Sequence, residues 1–318
     1  MSEDNEADTT SCCASCGIAE VDDIKLKECG VCDLVKYCSD ECQRNHRSEH
    51  EEACKKRAAE LRDEILFKQP ESTHMGDCPI CSLPLSLDKQ KSGMYMCCSK
   101  FICKGCIHAI KMREVNMRRI PSCPFCRKPG TSTVAERDKQ RMKRVEANDP
   151  SALLQEGLIQ AEKRHYLKTL EYCKKAADLG AAGAHYQLAC MYNEGEGVEK
   201  NKGKEIYHHE EAAIGGHPGA RYWLGVYEND NGNVARALKH WIIAATQGLD
   251  DSMKELMDAF KRGQLSKDEL AATLRAHKAA IDATKSPQRR EAEEIEKFYR
   301  SGIAKELSLA QICQLLRK

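Results

Sequence analysis

Between residues 174 and 248 the chain reads KKAADLG (174–180), EEAAIGG (210–216) and IIAATQG (242–248). Each segment sets two adjacent alanines ahead of a closing glycine. Gly180, Gly216 and Gly248 are spaced 36 and 32 residues apart, the period of a helix-pair repeat. Within the units, AHYQLA (184–189) aligns with ARYWLG (220–225), and the connecting loops read GEGVEKN (195–201) and NDNGN (229–233). The unit is therefore helix A, a loop, helix B and a glycine. Alanines let the two helices approach closely, and the glycine ends helix B in a left-handed turn. The pattern is strongest over 183–249, extends back over 151–182, and closes with a helix pair at 251–284. Such units stack into a curved α-solenoid with an exposed concave surface. Tyr186, Tyr222, Trp223 and Trp241 are read as aromatics that fill gaps between helices.

Outward from the repeats, toward the N-terminus, the composition changes. Residues 78–126 carry CPIC (78–81), CC (97–98), CKGC (103–106) and CPFC (123–126), eight cysteines in four pairs. Two such pairs complete a tetrahedral zinc site, so eight thiolates suggest two ions. If the first pair joins the third and the second joins the fourth, the sites interleave and cross-brace a domain too small to fold on its own core. The ligand sets are then Cys78, Cys81, Cys103 and Cys106, and Cys97, Cys98, Cys123 and Cys126. The pattern resembles a RING finger, which implies a histidine ligand where Lys100 stands, and an ammonium cannot bind zinc at neutral pH. Cys97 is the obvious substitute, and His108 is the alternative to it.

A second pattern precedes this one: Cys13-x2-Cys16, Cys29-x2-Cys32, Tyr37-Cys38-x3-Cys42, then His50 and Cys54. His50 and Cys54 are four residues apart and share one helix face. Cys12 offers a competing register, but Cys13 gives the regular spacing.

These motifs carry three resemblances. The pattern at 13–54 resembles a MYND finger, which implies Cys13, Cys16, Cys38 and Cys42 around one zinc and Cys29, Cys32, His50 and Cys54 around another. MYND fingers usually carry a tryptophan where Arg47 stands, which weakens the family's peptide groove here. CCSKFICKGCIHAI and CPFCRKP resemble the all-cysteine RING of the ubiquitin ligase subunit of a deadenylase complex, though Cys97 and Cys98 are adjacent where that family has one residue between. This resemblance implies contact with a ubiquitin-conjugating enzyme through Ile80, Pro124 and Arg127, the last bridging the enzyme and its ubiquitin with a planar guanidinium. It implies no catalytic nucleophile of the protein's own; such a ligase works by positioning a charged conjugating enzyme near a substrate lysine. The repeats resemble the SEL type, a relative of the tetratricopeptide repeat, and imply a surface for a substrate or adaptor.

The expected fold class is mostly α, with two small cross-brace zinc-binding modules followed by an α-solenoid of helix-pair repeats. The expected order is a disordered N-terminus (1–11), a MYND-type finger (12–54), a helical linker (55–77), a RING-type finger (78–127), a basic helical linker (128–147), repeats (148–284) and C-terminal helices (285–318). Ile312, Leu315 and Leu316 of that last segment are candidates to dock on the solenoid or on a partner.

Composition limits the function. The chain has 318 residues, 31% charged, with a net charge of +1, so no global attraction to nucleic acid follows. Residues 111–144 hold eleven Lys or Arg against three Asp or Glu, a run that could bind RNA but reads better as a solvated helix face. Only Phe125 is there to stack on bases. No apolar run approaches the ~20 residues that span a bilayer, and the acidic start MSEDNEADTT is not a signal peptide. An intracellular protein, cytoplasmic or nuclear, is expected. Of 19 cysteines, 16 precede residue 127, and in a reducing compartment such clusters hold metal rather than form disulfides. Cys173, Cys190 and Cys313 read as small core residues. No Ser-His-Asp arrangement, phosphate loop, HExxH motif or methyltransferase domain is found. The expected cofactor is four Zn2+ ions, and the expected partners are proteins: a conjugating enzyme and a substrate, or, in the alternative reading of a non-catalytic adaptor, docking partners alone.

Overall fold

The structure, a computed structural model, describes residues 12–21, 23–117, 122–131 and 133–300. Cys313, Ile312, Leu315 and Leu316 lie outside the described residues, as does the 1–11 segment. The chain divides into two compact units, 1–68 and 69–318.

In the first unit, β1 (Lys27–Glu28) and β2 (Lys36–Tyr37) form a small antiparallel hairpin. Helices α1 (Asp40–Asn45) and α2 (Arg47–Leu66) follow. Ser39 caps α1 by accepting from the Cys42 amide, satisfying one of the donors that every helix start leaves open. The buried core is Cys13, Leu26, Cys29, Cys32 and Tyr37. Three of those five are cysteines, so apolar burial alone holds this unit weakly.

The second unit opens with residues 69–77, which lie along the repeats. The His74 amide donates to the Gly216 carbonyl at 2.9 Å, and its ring stacks on His217 at 4.1 Å. A second cysteine module follows: β3 (Ser92–Tyr95) pairs antiparallel with β4 (Lys100–Cys103), and α3 (Lys104–Asn116) runs on from it. Its core is Cys78, Leu85, Ile102, Cys103 and Cys106.

Ten helices among the described residues make up the rest. Read from the sequence as a basic linker, residues Val134–Glu146 form α4, which packs on α5 (Pro150–Glu162). Val145 joins the repeat core, and the buried Arg141 donates to Glu156 at 2.8 Å. The basic helix is thus part of the array, and some of its charge is spent inside it. Then come α6 (Tyr166–Asp178), α7 (Ala182–Glu194), α8 (Lys202–Ile214), α9 (Pro218–Asp230), α10 (Val234–Thr246), α11 (Asp250–Lys261) and α12 (Lys267–Ala283). Helices α5 to α10 have 13 residues each, so only loop length can change the period. The α7–α8 loop spans 195–201, whereas 163–165 and 231–233 suffice for its neighbours. Those four extra residues turn a 32-residue period into 36. Gly180, Gly216 and Gly248 close the B helices at φ of 81°, 78° and 92°, a region costly to residues with a Cβ.

The A–B seams need a small residue opposite a large one. A Cβ on Gly157 would lie 2.9 Å from Cys173 Sγ, and one on Gly225 would meet the Trp241 indole, with Cε2 at 2.9 Å. Trp241 is 1% exposed and donates its Nε1–H to the Tyr222 carbonyl. Gly225→Val is therefore expected to destabilise the array by about 3 kcal/mol through overpacking. A urea titration followed by tryptophan fluorescence checks this; an unchanged midpoint would refute the packing assignment. Trp223 differs from the expectation that these aromatics fill gaps, since it is 45% exposed. It sits two positions short of the seam glycine and faces outward.

The last described helix, α13 (Pro287–Arg300), packs on α3 of the cysteine module.

Candidate metal centre

Four of the five CxxC pairs fold as the same knuckle, and Cys103–Cys106 instead opens α3. The amide four residues after the first cysteine donates back to that cysteine's carbonyl: Gly17 to Cys13 at 2.9 Å, Asp33 to Cys29 at 3.2 Å, Ser82 to Cys78 at 2.8 Å and Arg127 to Cys123 at 2.9 Å. All four donors have positive φ, from 51° to 76°. The tight turn points both sulfurs of a pair to one side. His50 and Cys54 reach their site from one face of α2, while Cys103 and Cys106 flank the start of α3.

These elements bring together four tetrads: Cys13, Cys16, Cys38 and Cys42; Cys29, Cys32, His50 and Cys54; Cys78, Cys81, Cys103 and Cys106; and Cys97, Cys98, Cys123 and Cys126. Within each, the ligand atoms lie within 4.8 Å of one another. In both modules the pairs interleave, first with third and second with fourth. Cys97 stands in the fourth tetrad, and His108 does not; it is buried on α3. Cys12 also stands apart from the tetrads and is exposed. His46 is not in a tetrad: its Nδ1 is 3.1 Å from the Tyr37 hydroxyl, and its ring stacks on His50.

The geometry fits zinc. A tetrahedron with zinc–sulfur bonds of 2.3 Å has sulfur–sulfur edges of ~3.8 Å. Sulfur pairs sit at 3.6 Å (Cys16–Cys38), 3.9 Å (Cys29–Cys54), 3.8 Å (Cys78–Cys106), 3.8 Å (Cys81–Cys103), 3.6 Å (Cys98–Cys123) and 3.3 Å (Cys97–Cys126). His50 Nε2 lies 3.1 Å from Cys32 Sγ. Every described cysteine is a free thiol.

Electrostatics point the same way. Burial acts to raise Cys13, but backbone donors, first that of Cys38, bring it down to about 6. Burial likewise acts to raise Cys29, but the Val31 amide and then His50 bring it down to about 6. Cys78 falls to about 7 against burial through backbone donors, and Cys126 is also lowered. Their neighbours go the other way. Cys38 is pushed up to about 12 by Cys42 and Cys16, and Cys54 to about 11 by burial and then Cys32. Burial raises Cys97, Cys98, Cys103 and Cys106. In each tetrad, then, one thiolate is favoured and at least one other cysteine resists ionising beside it, as clustered like charges do. A divalent cation removes that conflict. The four tetrads are consistent with binding about four zinc ions.

The three residues expected to contact a conjugating enzyme all lie at the surface: Ile80 is 42% exposed, and Pro124 and Arg127 are exposed. Arg289 of α13 was not foreseen. It donates to Cys81 Sγ at 3.4 Å, and nothing in its sequence context marks it. Among the described residues no helix is long and apolar enough to cross a membrane.

No curated protein is significantly similar to the chain. Among solved structures, it is similar to a Sel1 repeat protein from Oxalobacter formigenes, at 22% identity and a TM-score of 0.42, over 55% of this chain and 72% of that one. It is also similar to a protective antigen present in uropathogenic Escherichia coli strains that displays an SLR fold, at 19% identity and a TM-score of 0.37, over 52% of this chain and 36% of that one. The family model of the MYND finger matches residues 13–54, the segment that carries the first two tetrads.

Proposed function

We propose that the second cysteine module is a RING-type finger and that the protein is a ubiquitin ligase that recruits substrates through its helical repeats. Zinc finger and repeat array together suggest a protein-interaction role; ligase activity is the finer reading. The sixteen residues of the four tetrads are its zinc ligands. Zinc held by these residues would be structural, capping the thiolates and bracing two loops, and the proposed mechanism uses no nucleophile of the chain's own.

The observation that carries the ligase reading is the placement of Arg127. It follows the last ligand, Cys126, at φ 57°, and is exposed. The equivalent knuckle position is glycine in the first pair, Gly17. Asp33 and Ser82 hold that position after the Cys29 and Cys78 pairs, so the knuckle accepts a side chain there at a modest backbone cost. A planar donor fork at that point suits bridging two carbonyl groups. Exposed Ile80 supplies the apolar contact. In this reading the module holds a charged conjugating enzyme in a reactive geometry, and the gain is one of proximity and orientation.

The test is discharge of ubiquitin from a panel of charged conjugating enzymes by zinc-loaded protein. Acceleration is expected, falling at least about tenfold in Ile80→Ala and in Arg127→Ala, a loss of about 1.4 kcal/mol in transition-state stabilisation. No acceleration across the panel would leave the adaptor reading. That reading has its own support in the exposed Trp223, Met257 and Phe260 of α9 and α11, which are 45%, 47% and 39% exposed.

A further inference from the structure

Helix α13 begins after the last repeat helix and turns back onto the second cysteine module. Its inward face is Arg289, Ala292 and Ile295, which are 8%, 7% and 4% exposed. It sits so close to α3 that a Cβ on Gly105 would lie 3.0 Å from the Arg289 backbone nitrogen and Cα. Ion pairs flank the contact, Lys91 to Glu293 at 3.0 Å and Lys104 to Glu296 at 3.6 Å.

The centre of this contact is one guanidinium with four acceptors. Arg289 Nη1 donates to the Thr284 carbonyl, just past α12, and to the Pro84 carbonyl, both at 2.7 Å. Nη2 donates to the Leu83 carbonyl at 3.1 Å and to Cys81 Sγ at 3.4 Å. Leu83 and Pro84 belong to the turn that shapes the Cys78–Cys81 knuckle, because the Cys78 amide donates to the Leu83 carbonyl at 2.9 Å. A single buried cation therefore touches the end of the repeat array, the turn of a metal-binding loop and a ligand sulfur.

We infer that Arg289 is a positioning residue for the third tetrad, an outer-sphere clamp that fastens its zinc to the repeat array and slows loss of that ion. A cation donating to a ligand thiolate stabilises the charge the metal requires, and a fork held by three carbonyls fixes the loop that presents it. Outer-sphere partners of this kind typically change metal affinity 10–100-fold. The inference rests on zinc in that tetrad and does not require ligase activity.

The experiment challenges zinc-loaded full-length protein with a chelator and follows maleimide labelling of each cysteine by peptide mapping. In Arg289→Ala, labelling of Cys78, Cys81, Cys103 and Cys106 should quicken by roughly tenfold or more, with the other three tetrads unchanged. Arg289→Lys should not restore protection, because an ammonium cannot reach the same four acceptors. Gly105→Val, which wedges α13 away while keeping the arginine, should give the same selective loss. In cobalt-substituted protein, Arg289→Ala should shift part of the thiolate-to-cobalt charge-transfer band to longer wavelength, since a hydrogen bond is removed from one sulfur. Unchanged labelling of the third tetrad in Arg289→Ala would overturn the inference. So would equal acceleration at all four tetrads, which would mean general unfolding, or full protection in Arg289→Lys.

Discussion

Stripping zinc with a strong chelator is expected to unfold both cysteine modules while the helical repeats stay folded. The modules have almost no core without their ligands. Among the described residues, the buried cluster of the first holds Leu26 and Tyr37 besides cysteines, and that of the second holds Leu85 and Ile102. A few apolar side chains bury at most several kcal/mol, against a conformational entropy cost of about 1–2 kcal/mol per ordered residue. Structural zinc supplies about 10–16 kcal/mol per site in small fingers, and that is what each module would lose. The repeat cores draw on different residues. One runs from Val145 to Met191 and the other from Ala237 to Leu265, with no tetrad member in either. The measurement is convenient, because both tryptophans of the chain, Trp223 and Trp241, lie in the repeats. Native mass spectrometry should count four ions before chelation and none after. Over the same titration, tryptophan emission should hold steady while protease cuts appear within 12–54 and 78–127. A red shift of emission in step with zinc release would show that the modules and repeats fold as one cooperative body.

The parts of this molecule that could be read from sequence are those fixed by local spacing. A CxxC turn places two sulfurs on one side whatever surrounds it, so those pairs were legible; the grouping into tetrads rested on alternation and, for 13–54, on the MYND resemblance, with His108 an open alternative to Cys97. The repeat period followed from AA-x-x-G, because alanine and glycine are demanded by the close A–B seam and the left-handed turn. Even the adjacent Cys97 and Cys98, which depart from the resembling family's spacing, enter one tetrad. Long-range contacts were not legible. Arg289 lies 208 residues from Cys81, and His74 lies 143 positions before its stacking partner His217. Neither has a periodic or motif signature, since a single arginine or histidine satisfies many environments. The role of α4 was hidden for a related reason. Its basic composition describes the solvent face, whereas its place in the array is set by Val145 and by the buried Arg141–Glu156 pair. Trp223 shows the converse, a large aromatic at a repeat position that the helix turns outward.

The repeat array should also be unusually sensitive to mild acid. Its seams bury histidines that fold as neutral rings. His240 is fully buried, and His209 is 5% exposed. Burial, and then the cations Arg221 and Arg236, hold His240 down to about 3. Burial, with Lys202 and His208, holds His209 to about 4. His208 and His74 are also lowered to about 4, chiefly by burial, and His217 is lowered further by burial and His74. An unfolded chain binds a proton at each of these sites near pH 6.5, and the folded chain does not until pH 4 or below. Stability is therefore complete above pH 6.5 and falls as pH drops through the window between 6.5 and 4, because the unfolded state takes up protons first. Each pH unit costs about 1.4 kcal/mol per histidine. For His209 and His240 alone the loss at pH 4.5 is about 5 kcal/mol, comparable to the net stability of many domains. Urea titrations followed by tryptophan fluorescence should give unfolding free energies that decline steeply from pH 6.5 to 5. Zinc loss in acid cannot mimic this if the chelation result holds, because the fluorescence reports the repeats alone. In His240→Gln the slope of stability against pH should lessen by close to one proton, whatever the substitution does to stability at pH 7. An undiminished slope in that variant would mean that His240 does not carry the linkage, and a flat profile in the parent protein would mean that these rings accept protons without leaving the fold.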